Sequence, residues 1–200
     1  MPFTKRTLIV IATVALALAV PAAAEIVYTP TNISIPVGSS YNIDLNQDGV
    51  ADFTLRSSLL QDYCNDGDGF MWSLTVTSAN GNAVVTSVGH ISSTYAGALL
   101  NSVPVNGGEG FVTGSSVMAA LAWGFCGTGT LGEWLNQPDR YLGLEFRDAD
   151  HNVHYGWVKL STVAYVDHLE HLHTSTVLSG FAYETVAGRQ IFTGQTSDTR

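Results

Sequence analysis

Strict alternation of apolar and polar side chains is the feature that most limits what this chain can fold into. Phe70, Trp72, Leu74 and Val76 alternate with Met71, Ser73, Thr75 and Thr77. A period of two describes a strand with one face buried. Asn80-Gly81 follows, a favoured two-residue hairpin turn, and Ala83–Val88 is expected to run back from it. A second hairpin is expected where Leu142, Leu144 and Phe146 share one strand face. There Asp148–Asn152 make the turn and Val153–Leu160 return. Strands near 163–166, 174–183 and 190–193 would complete a sheet. Gly107–Gly110 reads as a break, and Ser115–Trp123 as a short serine-capped helix. The fold class expected is therefore all-β, a β-sandwich or jelly roll with at most one short helix.

The first 24 residues stand apart from that domain. Lys5 and Arg6 precede an apolar run from Leu8 to Val20, and Pro21–Ala24 end in small residues of the cleavable type. This is the pattern of a secretory signal peptide, too short for a comfortable membrane span. Residues 25–200 then form one exported β domain, long enough for a real core. Removing Lys5 and Arg6 from 8 basic residues leaves 6 against 17 acidic ones, a formal net charge of −11. Such a surface argues against nucleic acid or anionic lipid as partner and is compatible with cations. Cys64 and Cys126 are the only cysteines, and an even pair in an exported chain is read first as a disulfide. Closing that loop would stabilise the fold by about 4 kcal/mol in the chain-entropy model.

The chemistry is stated most openly by Asp44-Leu-Asn46-Gln-Asp48-Gly49-Val50-Ala-Asp52. Oxygen donors stand at the first, third, fifth and ninth places, glycine at the sixth, and the Val50 carbonyl at the seventh. Calcium takes six to eight hard oxygens at roughly 2.4 Å, and this spacing wraps them around one Ca²⁺ ion. The flanking residues read as short strands, 41–45 and 52–55, so the loop is a strand–loop–strand version of the EF-hand type. Its twelfth place holds Leu55 where an EF-hand has a bidentate glutamate. Another carboxylate or water must fill the shell, and a Kd on the order of 10⁻⁴–10⁻³ M is expected.

Asp62, Asn65, Asp66 and Asp68 form a second acidic, glycine-rich loop whose spacing fits no template, so a solvated turn is the default. His168, Glu170, His171 and His173 suggest a transition metal, with His171 and His173 on one strand face but no third ligand identifiable. His154 reads as a hydrogen-bonded structural histidine. Trp72, Trp123, Trp134 and Trp157 read first as core and second as a stacking platform for sugars.

Tyr141-Leu-Gly-Leu-Glu-Phe146, His154-Tyr155-Gly156-Trp157, Ala182-Tyr183-Glu184 and the stretch Gly188–Gly194 occur in that order. This progression resembles an uncharacterised group of exported bacterial proteins, many of which end in a PEP-type C-terminal sorting signal. The resemblance spans roughly residues 40–195 and implies export, without implying an activity. This chain departs from the group in ending at Arg200 without a Pro-Glu-Pro motif, apolar span or basic tail. Release, or non-covalent attachment at the cell surface, is the expected location.

Nothing in the chain matches a nucleophile elbow, a His-Glu-x-x-His helix or a phosphate loop, so no catalytic residue is nominated and no enzyme is expected. The expected function is a secreted calcium-binding β-sandwich with a structural or self-assembling role at the cell surface or in the matrix. Its partner would be itself or an extracellular glycan or protein. A carbohydrate-binding module is the alternative, and a secreted hydrolase ranks behind both.

Overall fold

The computed structural model describes residues 25–61, 69–86, 97, 99, 103–106, 110–124 and 127–198. The expected signal peptide, the acidic loop at 62–68 and both cysteines lie outside these. Among the described residues there is no helix, and every strand pairing is antiparallel. Among the described residues no helix is long and apolar enough to cross a membrane.

One sheet runs β2 (Ser40–Ile43), β3 (Phe53–Gln61), β4 (Gly69–Ser78), β8 (Ser115–Gly124) and β9 (Gly129–Leu131), in that spatial order. The other takes β1 (Ile26–Ser34), β12 (Leu172–Glu184), β11 (Val153–Val166), β10 (Arg140–Arg147), β5 (Ala83–Val85) and β7 (Phe111–Thr113). A two-stranded ribbon pairs β6 (Pro104–Val105) with β13 (Ile191–Phe192). Among the described residues no sheet closes into a barrel. The two large sheets bury one core between them. Phe53, Leu55, Trp72, Leu74 and Leu121 enter it from the five-stranded sheet, and Leu142, Leu144, Phe146, Val158 and Leu178 from the six-stranded one. The β-sandwich expectation is therefore met.

The six-stranded sheet is buried on its other face as well. Tyr155, Trp157, Tyr141 and Ala182 pack with Ile26, Val105 and Ile191 into a second cluster beneath the β6–β13 ribbon. That double burial explains why β11 reads His-Tyr-Gly-Trp-Val without a polar face. Gly156 is required there, because a Cβ would lie 2.7 Å from the Ala182 carbonyl oxygen.

Two expectations need correction. Ser115–Trp123 is not a helix but β8, a central strand paired with β4 along its length. Its partners on both edges, β4 and β9, supply pairing that overrides the helix propensity of alanine and leucine. The Asn80-Gly81 turn is real, with both residues at positive φ (51° and 78°) and Asn82 N donating to Ala79 O at 2.8 Å. Yet β5 does not run back along β4. It crosses to the other sheet and pairs with β10 and β7. The turn chemistry was read correctly and the topology was not.

The two turns at the ends of β11 share one device. Asp148 Oδ1 accepts from the backbone N–H of Asp150 (2.9 Å) and Asn152 (2.8 Å), and Asp167 Oδ1 from those of Leu169 (2.8 Å) and His171 (2.9 Å). Each turn has one residue in the left-handed region, His151 (φ 64°) or Glu170 (φ 63°). In each, the histidine six places after the aspartate reaches its Oδ2: His154 Nε2 at 3.3 Å and His173 Nε2 at 3.0 Å. The first carboxyl is lowered to about 2 chiefly by the Asn152 side-chain hydrogen bond, the second to about 2 chiefly by that of His173. A depressed carboxyl contributes stability that is complete above the unfolded value of 3.8 and lost as pH falls through about 2. Acid unfolding monitored by circular dichroism should therefore show a loss between about pH 4 and pH 2 that shrinks in Asp148→Ala and Asp167→Ala. At neutral pH, Asp148→Ala should lower the melting temperature more, because it strands the buried His154 ring, whereas His171 and His173 reach solvent.

Candidate metal centre

The Asp44–Asp52 loop joins β2 to β3, whose register pairs Tyr41 with Leu55 and Ile43 with Phe53. The strand–loop–strand setting is as expected. The loop is pinned from beneath at two places. Leu45 is fully buried in the core, and Asp52 N donates to Ile43 O at 2.8 Å. Between these pins the chain turns sharply through Gln47 (φ 58°) and Gly49 (φ 89°), and the glycine accepts that conformation without strain.

The acidic side chains fold back over this turn. Asp44 Oδ2 accepts from Gly49 N at 2.8 Å and its Oδ1 from Asp48 N at 3.2 Å. Asp48 Oδ1 accepts from Val50 N at 2.8 Å, while Asn46 Nδ2 donates to Asp48 Oδ2 at 3.0 Å. Asp44, Asn46 and Asp48 are thus gathered at the loop mouth, with Val50 exposed beside them. Asp52 stands behind them at 5% exposure. Its Oδ2 accepts from Leu45 N (2.9 Å) and its Oδ1 from Asn82 Nδ2 (3.2 Å). Burial raises the Asp52 carboxyl to about 6 against the pull of those hydrogen bonds, and the charges of Asp44 and Asp48 push it further up. The three carboxylates are therefore close enough to repel.

A hard cation suits this donor set. Each carboxylate oxygen has a second lone pair after its one hydrogen bond, and mutual repulsion is what a divalent ion relieves. The Asn46–Asp48 hydrogen bond is the contact such an ion would displace. Leu55 at the twelfth place is buried in the core and supplies nothing. On the side of the six-stranded sheet, Asn46 lines a cavity of about 160 Å³ with Phe146, Asp148, His154, Tyr183 and Thr185. Asp148 is already committed there to His154, Asn152 and two backbone N–H groups, so water is the better candidate for the open places.

Asn82 carries no signal of its own in the sequence, where it falls between the Asn80-Gly81 turn and the strand expected from Ala83. It is buried, and it bridges the sheets. Its Nδ2 also donates to the Asp52 carbonyl at 3.3 Å, and its Oδ1 accepts from Arg147 N at 3.0 Å. Asp167 was likewise missed. It draws in His173 Nε2 at 3.0 Å and His171 Nδ1 at 3.5 Å, while His168 and Glu170 face a separate cavity. Among the described residues, no group of three or more His, Cys, Asp or Glu side chains stands close enough to hold a metal as it is, the Asp44, Asp48 and Asp52 carboxylates included, so an ion at the loop would have to draw its donors inward. The histidines act here as partners of a turn-forming carboxylate. His154 has its expected structural place, with Nδ1 on the Glu184 carbonyl oxygen at 3.0 Å.

All four tryptophans are buried, and Trp123 lines a sizeable cavity. That cavity, about 520 Å³, lies at one end of the sandwich and is also lined by Tyr165, Asp167, His168 and Glu170. No protein-family model, curated protein or solved structure matches this chain.

The raised Asp52 carboxyl has a measurable sign. A carboxyl whose folded value exceeds its unfolded one contributes stability that is complete below 3.8 and lost as pH rises through about 6. Without calcium, denaturant unfolding from pH 4 to pH 7 should lose on the order of 3 kcal/mol from this group. Asp52→Asn should flatten that slope, yet be about 1–3 kcal/mol less stable at acid pH. An amide can accept from only one of Leu45 N and Asn82 Nδ2, and Asn82 cannot turn without releasing Arg147 N.

Proposed function

We propose that this chain is an exported β-sandwich, stabilised by calcium and closed by a Cys64–Cys126 disulfide, with a structural, self-associating role outside the cell. The convergence of Asp44, Asn46 and Asp48 over a positive-φ glycine, backed by the buried Asp52, carries this reading. Those residues would hold the ion together with the Val50 carbonyl. When bound, the ion offsets the repulsion among three carboxylates and ties the β2–β3 connection to the core. The disulfide is supported by the pairing of Gly69 with Gly124, which ends the strands leading to the two cysteines side by side. No catalytic role is proposed for any residue.

Thermal unfolding in excess calcium and in EDTA tests the metal. A hundredfold excess over Kd adds about 2.7 kcal/mol, or roughly 5–10 °C in melting temperature for a domain of this size. Asp48→Ala should abolish that rise while barely changing the melting temperature in EDTA, since Asp48 is exposed and bonds only within its loop. No response in the parent protein to calcium raised to a hundredfold excess over the expected Kd would reduce the loop to an acidic turn.

A carbohydrate-binding role is the second reading, and the cavity beside Trp123 and Tyr165 is the observation that favours it. Aromatic faces beside carboxylates suit sugar C–H and hydroxyl groups. A shift in tryptophan fluorescence on titration with neutral oligosaccharides, lost in Tyr165→Ala, would support it. A flat response across a broad glycan panel would remove it.

A further inference from the structure

Because alternation turns Phe53, Leu55, Trp72, Leu74, Val76 and Leu121 into the core, their strand neighbours form the outer face of the five-stranded sheet. The register arranges that face in rows: Leu60, Met71, Ala122 and Gly129, then Ser58, Ser73, Ala120 and Leu131. Next come Ser40, Arg56, Thr75 and Val117, then Asn42, Thr54, Thr77 and Ser115. Arg56 is the single charge in those rows, and no carboxylate stands in any of them. This occurs in a chain with 17 acidic residues and a formal net charge of −9.

We propose that this face is where a second copy of the chain docks, a proposal that rests on the self-associating role argued above. Charge selects the occupant. Two copies of a strongly acidic protein repel over most of their surfaces, and described rows without carboxylates are where they can approach. Among the described residues, these rows have no aromatic ring for a sugar to stack on and no cluster of cations for a nucleic acid or anionic lipid. Shape agrees with charge. Ala120, Ala122 and Gly129, with Met71, Thr130 and Leu131, surround a hollow of about 160 Å³. Leu60 and Leu131 stand in the same rows, exposed by 52% and 49%. Knob and hollow on one patch are what a two-fold contact requires, because each copy must offer both.

The sheet edges are poorer routes to association. The edge strands β2, β7 and β9 have only three or four residues, and β1 is interrupted at Pro30, where its register shifts. Five strands at roughly 4.8 Å spacing and about seven residues at roughly 3.3 Å give a footprint on the order of 500 Å², the size of a weak reversible contact. Added salt should strengthen it, since screening removes the repulsion between acidic copies without touching an uncharged contact.

Sedimentation equilibrium of the mature protein over a wide concentration range, at low and high salt, tests this with Leu60→Glu and Leu131→Glu. Both side chains point outward, and circular dichroism would check that each variant folds. The expected result is reversible dimerisation of the parent protein, tighter at high salt and weakened roughly tenfold or more by either glutamate. Association of the parent protein that both variants retain, or that salt weakens, would move the contact elsewhere and leave self-association standing. A strict monomer at every concentration and salt would remove self-association and this face with it.

Discussion

The structure depends on one buried carboxylate and the amide that meets it. Asp52 and Asn82 stand where three things must be held together: the β2–β3 loop, the start of β3, and the crossing from the five-stranded to the six-stranded sheet. Asp52 takes the Leu45 N–H with one oxygen and the Asn82 amide with the other, and Asn82 takes the Arg147 N–H at the end of β10. Ala79 N closes the same knot on the Asp52 carbonyl at 2.9 Å. Hydrophobic burial holds the sheets face to face but is non-directional. This chain of hydrogen bonds fixes their relative register at one end. Its cost is a carboxyl held away from water beside two others of like charge.

That cost explains why the loop is both the fold's weak point and its candidate site. A carboxylate needed as a double acceptor cannot be replaced by its amide without losing a bond, so charge repulsion is retained in the architecture. A cation at Asp44, Asn46 and Asp48 would lower the penalty without altering the hydrogen bonds behind it. The turns after β10 and β11 solve a related problem without a metal. Asp148 and Asp167 are each saturated by local N–H donors and a histidine, which holds their carboxyls low where Asp52 is held high. Environment, not residue type, separates the three aspartates.

Much of the sandwich was legible because period-two patterning is set by burial on one face. The stretch Phe70–Val76 and the Leu142–Phe146 face behaved as such strands do. The chain failed to declare its topology at Asn80-Gly81, since a two-residue turn fixes local direction and says nothing about which sheet receives the next strand. It also misdirected at Ser115–Trp123, where alanine-rich sequence favours a helix until two neighbouring strands claim it. For the candidate site, the Asp44–Asp52 spacing was readable because its candidate donors lie within one short stretch of chain. Asn82 was not, because its partners lie 30 and 65 positions away and join it only through the fold. The paired offsets Asp148–His154 and Asp167–His173 were visible in the sequence as a repeated six-residue spacing. Asp148 reads as a turn residue and His154 as a structural histidine, but neither is joined to the other from sequence, and the metal reading of His171 and His173 leaves Asp167 out.

Charge is distributed as unevenly as hydrogen bonding. Carboxylates collect at the β2–β3 loop and at the turns after β10 and β11, whereas the outer face of the five-stranded sheet has none in its rows. Ordinary solubility would be served by scattering charge over that face, and Ser and Thr beside exposed Leu60 and Leu131 do not achieve it. The two proposed roles become linked through this segregation. A divalent ion bound at the loop would reduce the net negative charge that keeps copies apart, while leaving the uncharged face unchanged. Calcium would then act on association through long-range repulsion and on stability through Asp52. The two effects should separate with salt, because screening weakens the first far more than the second, whose charges lie within a few ångströms of one another and partly out of water.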